Sequence, residues 1–126
     1  MKIIEKLKLK QQDPFQNCAP VLCFFGDSVT QGCFEVPYLG KDHCDPEAVY
    51  HNVLKKMLYL SFPNTIFHVI NAGIAGDCAA NCFSRLERDV LSYQPDFCVV
   101  CFGLNDANRG PEGIKPFGEA LNRIFT

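Results

Sequence analysis

No run of apolar residues in this chain reaches the roughly 18 that a membrane-spanning helix needs. Nor does any early apolar segment resemble a secretory signal. Excess charge is also missing. Twelve Lys and Arg stand against 14 Asp and Glu, a net charge of -2, with no basic patch of the kind that recognises nucleic acid. The sequence holds no internal repeat and no low-complexity tract. Several chemical signatures are absent too. The stretch Gly26–Gly32 lacks the lysine and spacing of a phosphate-binding loop. Ser28 is not framed as Gly-x-Ser-x-Gly, and no Gly-x-Gly-x-x-Gly follows a strand. The expectation is a cytoplasmic chain with no membrane span and no nucleic-acid partner.

What is present fits one domain. The chain has 126 residues, and its 48% hydrophobic content is too high for a disordered polymer. Lys2, Lys6, Lys8 and Lys10 interleave with Ile3, Ile4, Leu7 and Leu9, which predicts an amphipathic helix packed on the domain. Residues 1–19 form this lead-in, and the domain proper covers 20–126. The eight cysteines read as reduced, buried thiols acting as small hydrophobes. Cys78 and Cys82 share one helix face. Cys98 and Cys101 fall on opposite faces of a strand, so they make a poor redox pair despite their CxxC spelling.

Near-continuous apolar runs predict strands at 20–26, 65–71 and 97–102. Asp45-Pro46-Glu47 reads as a helix start, and apolar residues at helical spacing carry that helix to about Leu60. Asp77 reads as the cap of a helix over 78–92, with Cys78, Ala79, Cys82, Phe83, Leu86 and Val90 facing inward. Pro111-Glu112 opens the last helix, and residues 31–46 read as a loop. Strands alternating with helices predict an α/β fold on a parallel sheet, with about three strands present.

Three polar motifs follow those three strands: Gly26-Asp27-Ser28, Asn71-Ala72-Gly73 and Gly103-Leu104-Asn105-Asp106. In a parallel sheet the strand carboxyl ends share one edge, where ligands bind. A serine hydroxyl becomes a useful nucleophile only with a base and an oxyanion-stabilising donor set. Gly73 admits a close substrate oxygen, and the Asn105 amide offers two N–H donors. Each motif alone has a plainer reading: a helix cap or turn at Ser28, a simple turn at Gly73, an Asx-turn at Asn105 with Asp106. Their order, at the ends of successive strands, points instead to an acyl-transfer site.

With Val29-Thr30-Gln31-Gly32 extending the first motif and Ile74-Ala75-Gly76-Asp77 the second, residues 20–126 resemble the SGNH-hydrolase, or GDSL-type esterase, family. The resemblance implies a flavodoxin-like three-layer αβα sandwich with strand order 2-1-3-4-5. It implies Ser28 as nucleophile. The Ser28 and Gly73 backbone N–H groups and the Asn105 amide would form the oxyanion hole, with Asp27 and Asp106 in support. It implies a small-molecule ester substrate, such as an O-acetylated sugar, and no metal or cofactor. The family's fourth block, Asp-x-x-His, supplies the base, and no histidine follows Asn105. His43, His51 and His68 all lie upstream. His43 sits in the loop near Ser28, His51 on the surface of the first helix after it, and His68 within a strand. The expectation is therefore a truncated SGNH domain of low activity. The alternative is a non-catalytic domain that binds an acylated sugar or a partner protein, and a third reading is a nonfunctional gene fragment.

Overall fold

In the computed structural model, residues 2–36 and 41–126 are described. The amphipathic lead-in forms α1 (Lys2–Gln12), with Ile3 and Leu7 buried. The first apolar run forms β1 (Val21–Gly26), and the chain then turns directly into the short helix α2 (Ser28–Gln31). An antiparallel pair, β2 (Cys33–Val36) and β3 (Lys41–Cys44), leads to α3 (Tyr50–Ser61). Then come β4 (His68–Gly73), α4 (Ala79–Asp89) and β5 (Phe97–Cys101). The short helix α5 (Leu104–Ala107) and the longer α6 (Ile114–Phe125) complete the described chain.

The main sheet is parallel in the order β4-β1-β5. Numbered along the chain, its strands run 2-1-3, the first part of the flavodoxin-like order. Alternate residues of the strands feed two cores. Cys23, Phe25 and Ala72 pack against Cys82, Leu86 and Val90 of the α4 side. On the opposite face, Leu22, Phe24 and Phe67 pack with Ile3 and Leu7, joined by Tyr50, Leu54 and Leu58. Helices on both faces of a parallel sheet make the three layers, and this is why β1 and β5 read as continuous apolar runs rather than alternating. At the amino edge of the sheet, the Asp96 carboxylate accepts the Val21 N–H at 2.9 Å and pairs with Lys6, tying α1 to the strands. The Lys6 ammonium holds the Asp96 carboxyl below its ordinary range.

Some local expectations are corrected. Residues 31–46 are not simply a loop, since they contain the β2–β3 pair, closed by a Cys33–Cys44 disulfide. The eight cysteines are thus not all reduced, and Cys18 and Cys98 are exposed rather than buried. Helix α3 starts at Tyr50 because Asp45 spends its carboxylate on the Glu47 and Ala48 N–H groups, making a turn instead of a cap. The N-cap position of α4 falls to Cys78, which makes no capping side-chain bond, while Asp77 pairs with Arg85 and accepts the Cys78 N–H. Phe83 is 41% exposed and lies under the Arg123 guanidinium instead of facing the core.

His51 is the sharpest correction. It is buried, not on the surface, and its Nε2 lies 2.9 Å from the Thr30 carbonyl. A carbonyl only accepts, so Nε2–H donates to it. Burial lowers the His51 pKa below its ordinary value. The unfolded chain therefore binds a proton that the folded chain refuses as pH falls below about 6.5. Stability from this group is complete above that pH and drains away below it, by up to about 1.4 kcal/mol per pH unit. Urea melts of the wild type at pH 7.5 and 5 are expected to show this loss, and His51→Gln to reduce it. An equal loss in both proteins would place the effect elsewhere.

Candidate active site

The register of the sheet brings the three motifs to one edge, since Gly26 pairs with Gly73 on one side and with Cys101 on the other. Ser28 is half-buried in the first turn of α2. Asp27, not Ser28, caps that helix: its carboxylate accepts the Val29 N–H at 3.0 Å. The Ser28 hydroxyl is thereby released from the capping role that a serine in such a turn usually plays. From below, α3 steadies the turn through His51 on the Thr30 carbonyl and through Tyr50, whose hydroxyl lies 3.1 Å from Thr30 Oγ1. Burial pushes the Tyr50 pKa up, so the phenol stays protonated.

Ser28 lines a cleft of about 320 Å³ together with Val29, Cys33, Phe34, Ala75, Gly76 and Leu104. Gly73 and Asn105 are not among its walls; Gly73 lies two residues before Ala75 and Asn105 one residue after Leu104. The β2 strand supplies Phe34 to the rim. His43 lies opposite Phe34 in register and is exposed. His68 starts β4 at the far end of the sheet, where it pairs with Val21.

Gly73 has a packing reason to lack a side chain. A Cβ there would lie 2.2 Å from the Gln31 N atom and 2.6 Å from the Thr30 carbonyl carbon. The absent side chain makes room for the backbone of α2. In this structure the Gly73 N–H donates to Asn71 Oδ1 at 3.0 Å. Asn71 is itself oriented by donating Nδ2–H to the Gln31 carbonyl at 3.2 Å. The Asn105 amide is anchored as well, with Nδ2 donating to the Asp77 carbonyl at 2.8 Å. That leaves one of its two N–H bonds unspent. Asp106 is buried and accepts the Ala79 N–H at 3.1 Å, so it satisfies a free donor at the start of α4.

One residue at this edge escaped the sequence reading. Arg85 is only 6% exposed and sits within α4 against the sheet. Its Nη1 donates to the Ala72 carbonyl at 2.7 Å and its Nη2 to the Gly26 carbonyl at 2.9 Å. Nε and Nη2 reach Asp77 Oδ2 at 2.8 and 2.6 Å, and Nη1 also approaches Asp89 Oδ2 at 3.4 Å. The guanidinium lies 4.4 Å from the centre of the Phe25 ring. A clue was available: an arginine three residues after Cys82 and one before Leu86 occupies the buried stripe of the helix, where a charge is costly unless paired. On the same helix, burial raises the Cys82 thiol pKa to about 11, so that thiol is inert at neutral pH.

A serine on a strand-end turn, at the carboxyl edge of a parallel sheet covered by helices on both faces, defines an α/β protein of the flavodoxin type. Residues 24–126 match the GDSL-like lipase/acylhydrolase family, and the chain belongs to it. An acetylxylan esterase of Geobacillus stearothermophilus is 29% identical over 89 residues, covering 70% of this chain and 40% of that protein. Among solved structures, a two-domain esterase active on acetylated mannans superposes with a TM-score of 0.72 at 26% identity, covering 99% of this chain and 29% of its own. A lipase/acylhydrolase from Enterococcus faecalis gives 0.64 at 29% identity, covering 83% of this chain and 50% of its own. The chain thus spans half the length of these relatives or less.

Proposed function

We propose that the protein carrying this chain is a serine esterase that removes small acyl groups, acetyl foremost, from carbohydrate hydroxyls. The observation that carries the reading is Ser28, freed from capping by Asp27, opening onto a cleft at the edge where Gly26 is in register with Gly73 and Cys101. The acetylated polysaccharides named for two relatives favour the acetyl and sugar assignments. Ser28 Oγ attacks the ester carbonyl, the sugar alcohol departs with a proton, and water then releases the acid from the acyl-serine. The Ser28 and Gly73 N–H groups and the free N–H of Asn105 stabilise the oxyanion, with the Gly73 donor turning from Asn71 Oδ1 to the substrate.

Attack needs a base for the Ser28 proton. His51 is committed to the Thr30 carbonyl, and His43 is exposed across the β2–β3 pair from Phe34. We assign the base to the remainder of the protein, in keeping with relatives of which this chain covers only 40% and 50%. On this reading residues 1–126 alone hydrolyse esters about 10⁴–10⁶ times more slowly than the whole protein.

A second reading, a non-catalytic domain that binds an acylated sugar, draws on the internal engagement of both the Gly73 and Asn105 donors. A serine-directed organophosphonate separates the two. Labelling mapped to Ser28 in the protein carrying this chain supports the esterase. Binding of an acetylated oligosaccharide without any label supports the module and overturns the esterase. If Asn105 is an oxyanion donor, Asn105→Ala lowers kcat by about 10²–10³ with a small effect on KM. An unchanged kcat in a steady-state assay removes Asn105 from that role.

A further inference from the structure

We infer that Arg85 is a positioning residue for the Gly73 donor, setting the direction and strength of that N–H through the Ala72–Gly73 peptide group. The inference rests on the esterase reading above for its kinetic consequence, though not for its structural one. The carbonyl that Arg85 Nη1 grips at 2.7 Å belongs to Ala72, so it shares one planar amide with the Gly73 N–H. A charge-assisted hydrogen bond on the oxygen of an amide draws electron density through its resonance and makes the N–H a better donor. The guanidinium therefore acts on the donor from the far side of the peptide, without touching substrate.

The same planar group also fixes distances. Its Nη2 holds the Gly26 carbonyl, two residues before Ser28, so one rigid fork spans the ends of β1 and β4. Its Nε and Nη2 also bond Asp77, whose backbone carbonyl holds the Asn105 amide. Segments bearing Ser28, Gly73 and Asn105 thus converge on a single buried cation. Asp77 and Asp89 offset its charge, so Arg85 works through aligned hydrogen bonds rather than net positive potential. The Phe25 ring on its face and the 6% exposure keep water from competing with those bonds. Packing alone would be met by an apolar side chain of similar size, which is often as stable as a buried ion pair. An arginine aimed at the peptide just before a donor does more than pack.

The test uses the protein carrying this chain, labelled with ¹⁵N-glycine, as wild type, Arg85→Lys and Arg85→Gln. The Gly73 amide proton is expected to move upfield in both variants while each still unfolds cooperatively. Turnover of an acetylated oligosaccharide is expected to fall by about 10²–10³ with KM unchanged, as when an oxyanion donor is lost. Added guanidinium ion is expected to restore part of kcat in Arg85→Ala. A Gly73 resonance that stays in place in Arg85→Lys overturns the inference, as does a proportional loss of kcat and folded protein with no rescue. If Ser28→Ala retains wild-type turnover, the esterase reading fails by itself, and the Gly73 resonance still decides the action of Arg85 on its peptide.

Discussion

Replacing Ser28 with alanine is expected to reduce turnover of an acetylated oligosaccharide by about 10⁴–10⁶-fold while leaving the thermal midpoint nearly unchanged. The two halves of this result have separate causes. Removing the hydroxyl removes the atom that forms the acyl intermediate, leaving only water attack assisted by the donors. Stability is spared because the cap of α2 is Asp27, whose carboxylate holds the Val29 N–H, and because Ser28 is only half-buried. Had Ser28 been the cap, alanine would cost about 1 kcal/mol. Steady-state kinetics beside a thermal melt reads both quantities. Wild-type turnover in Ser28→Ala would sink the nucleophile assignment, whereas a large fall in midpoint would mean that Ser28 supports the turn.

Gly73→Ala is expected to act in the opposite proportion, damaging structure and chemistry together. The added methyl would lie 2.2 Å from the Gln31 N atom, a backbone atom that no rotamer change can move aside. Either the end of β4 or the whole of α2 must shift, and overpacking of this kind costs about 1–3 kcal/mol. The Gln31 N–H is also committed, donating to the Asp27 carbonyl at 2.9 Å, so moving it strains the helix that carries Ser28. We expect a midpoint lowered by several degrees and a kcat lowered by about 10²–10³ in the protein that still folds. Denaturant unfolding followed by assay of the folded fraction checks both. A variant with wild-type stability and activity would mean that the β4 end and α2 separate freely, contrary to the packing described.

Much of the fold was readable along the chain because the signals are local. Val21-Leu22-Cys23-Phe24-Phe25 and Phe97-Cys98-Val99-Val100-Cys101 are continuous apolar runs, the pattern of strands in a helix-covered parallel sheet, with β1 buried and β5 partly so. The interleaved lysines and aliphatics of residues 2–10 likewise predict the helix that buries Ile3 and Leu7. The misreadings share a different cause. His51 looks like an ordinary polar position on a helix, and only a carbonyl 21 residues earlier gives its ring a buried partner. Asp77 looks like a cap until Arg85 is folded against it. The β2–β3 pair is too short for alternation to show, and its disulfide joins cysteines 11 residues apart within a loop-like composition.

Sequence alone therefore determined the family, the parallel α/β architecture and the three strand-end motifs, because glycines, strand runs and turn residues act through bonds near them in the chain. Tertiary structure decided how those motifs are held. Gly26 faces Gly73 and Cys101 only through sheet register. Asn105 meets the Asp77 carbonyl across 28 residues, and Arg85 meets the Gly26 carbonyl across 59. Such partners leave no periodicity behind, since a buried cation is paired by whatever the fold brings to it. The chain spells out which atoms could do chemistry, and the packing of α4 on the sheet decides where they point.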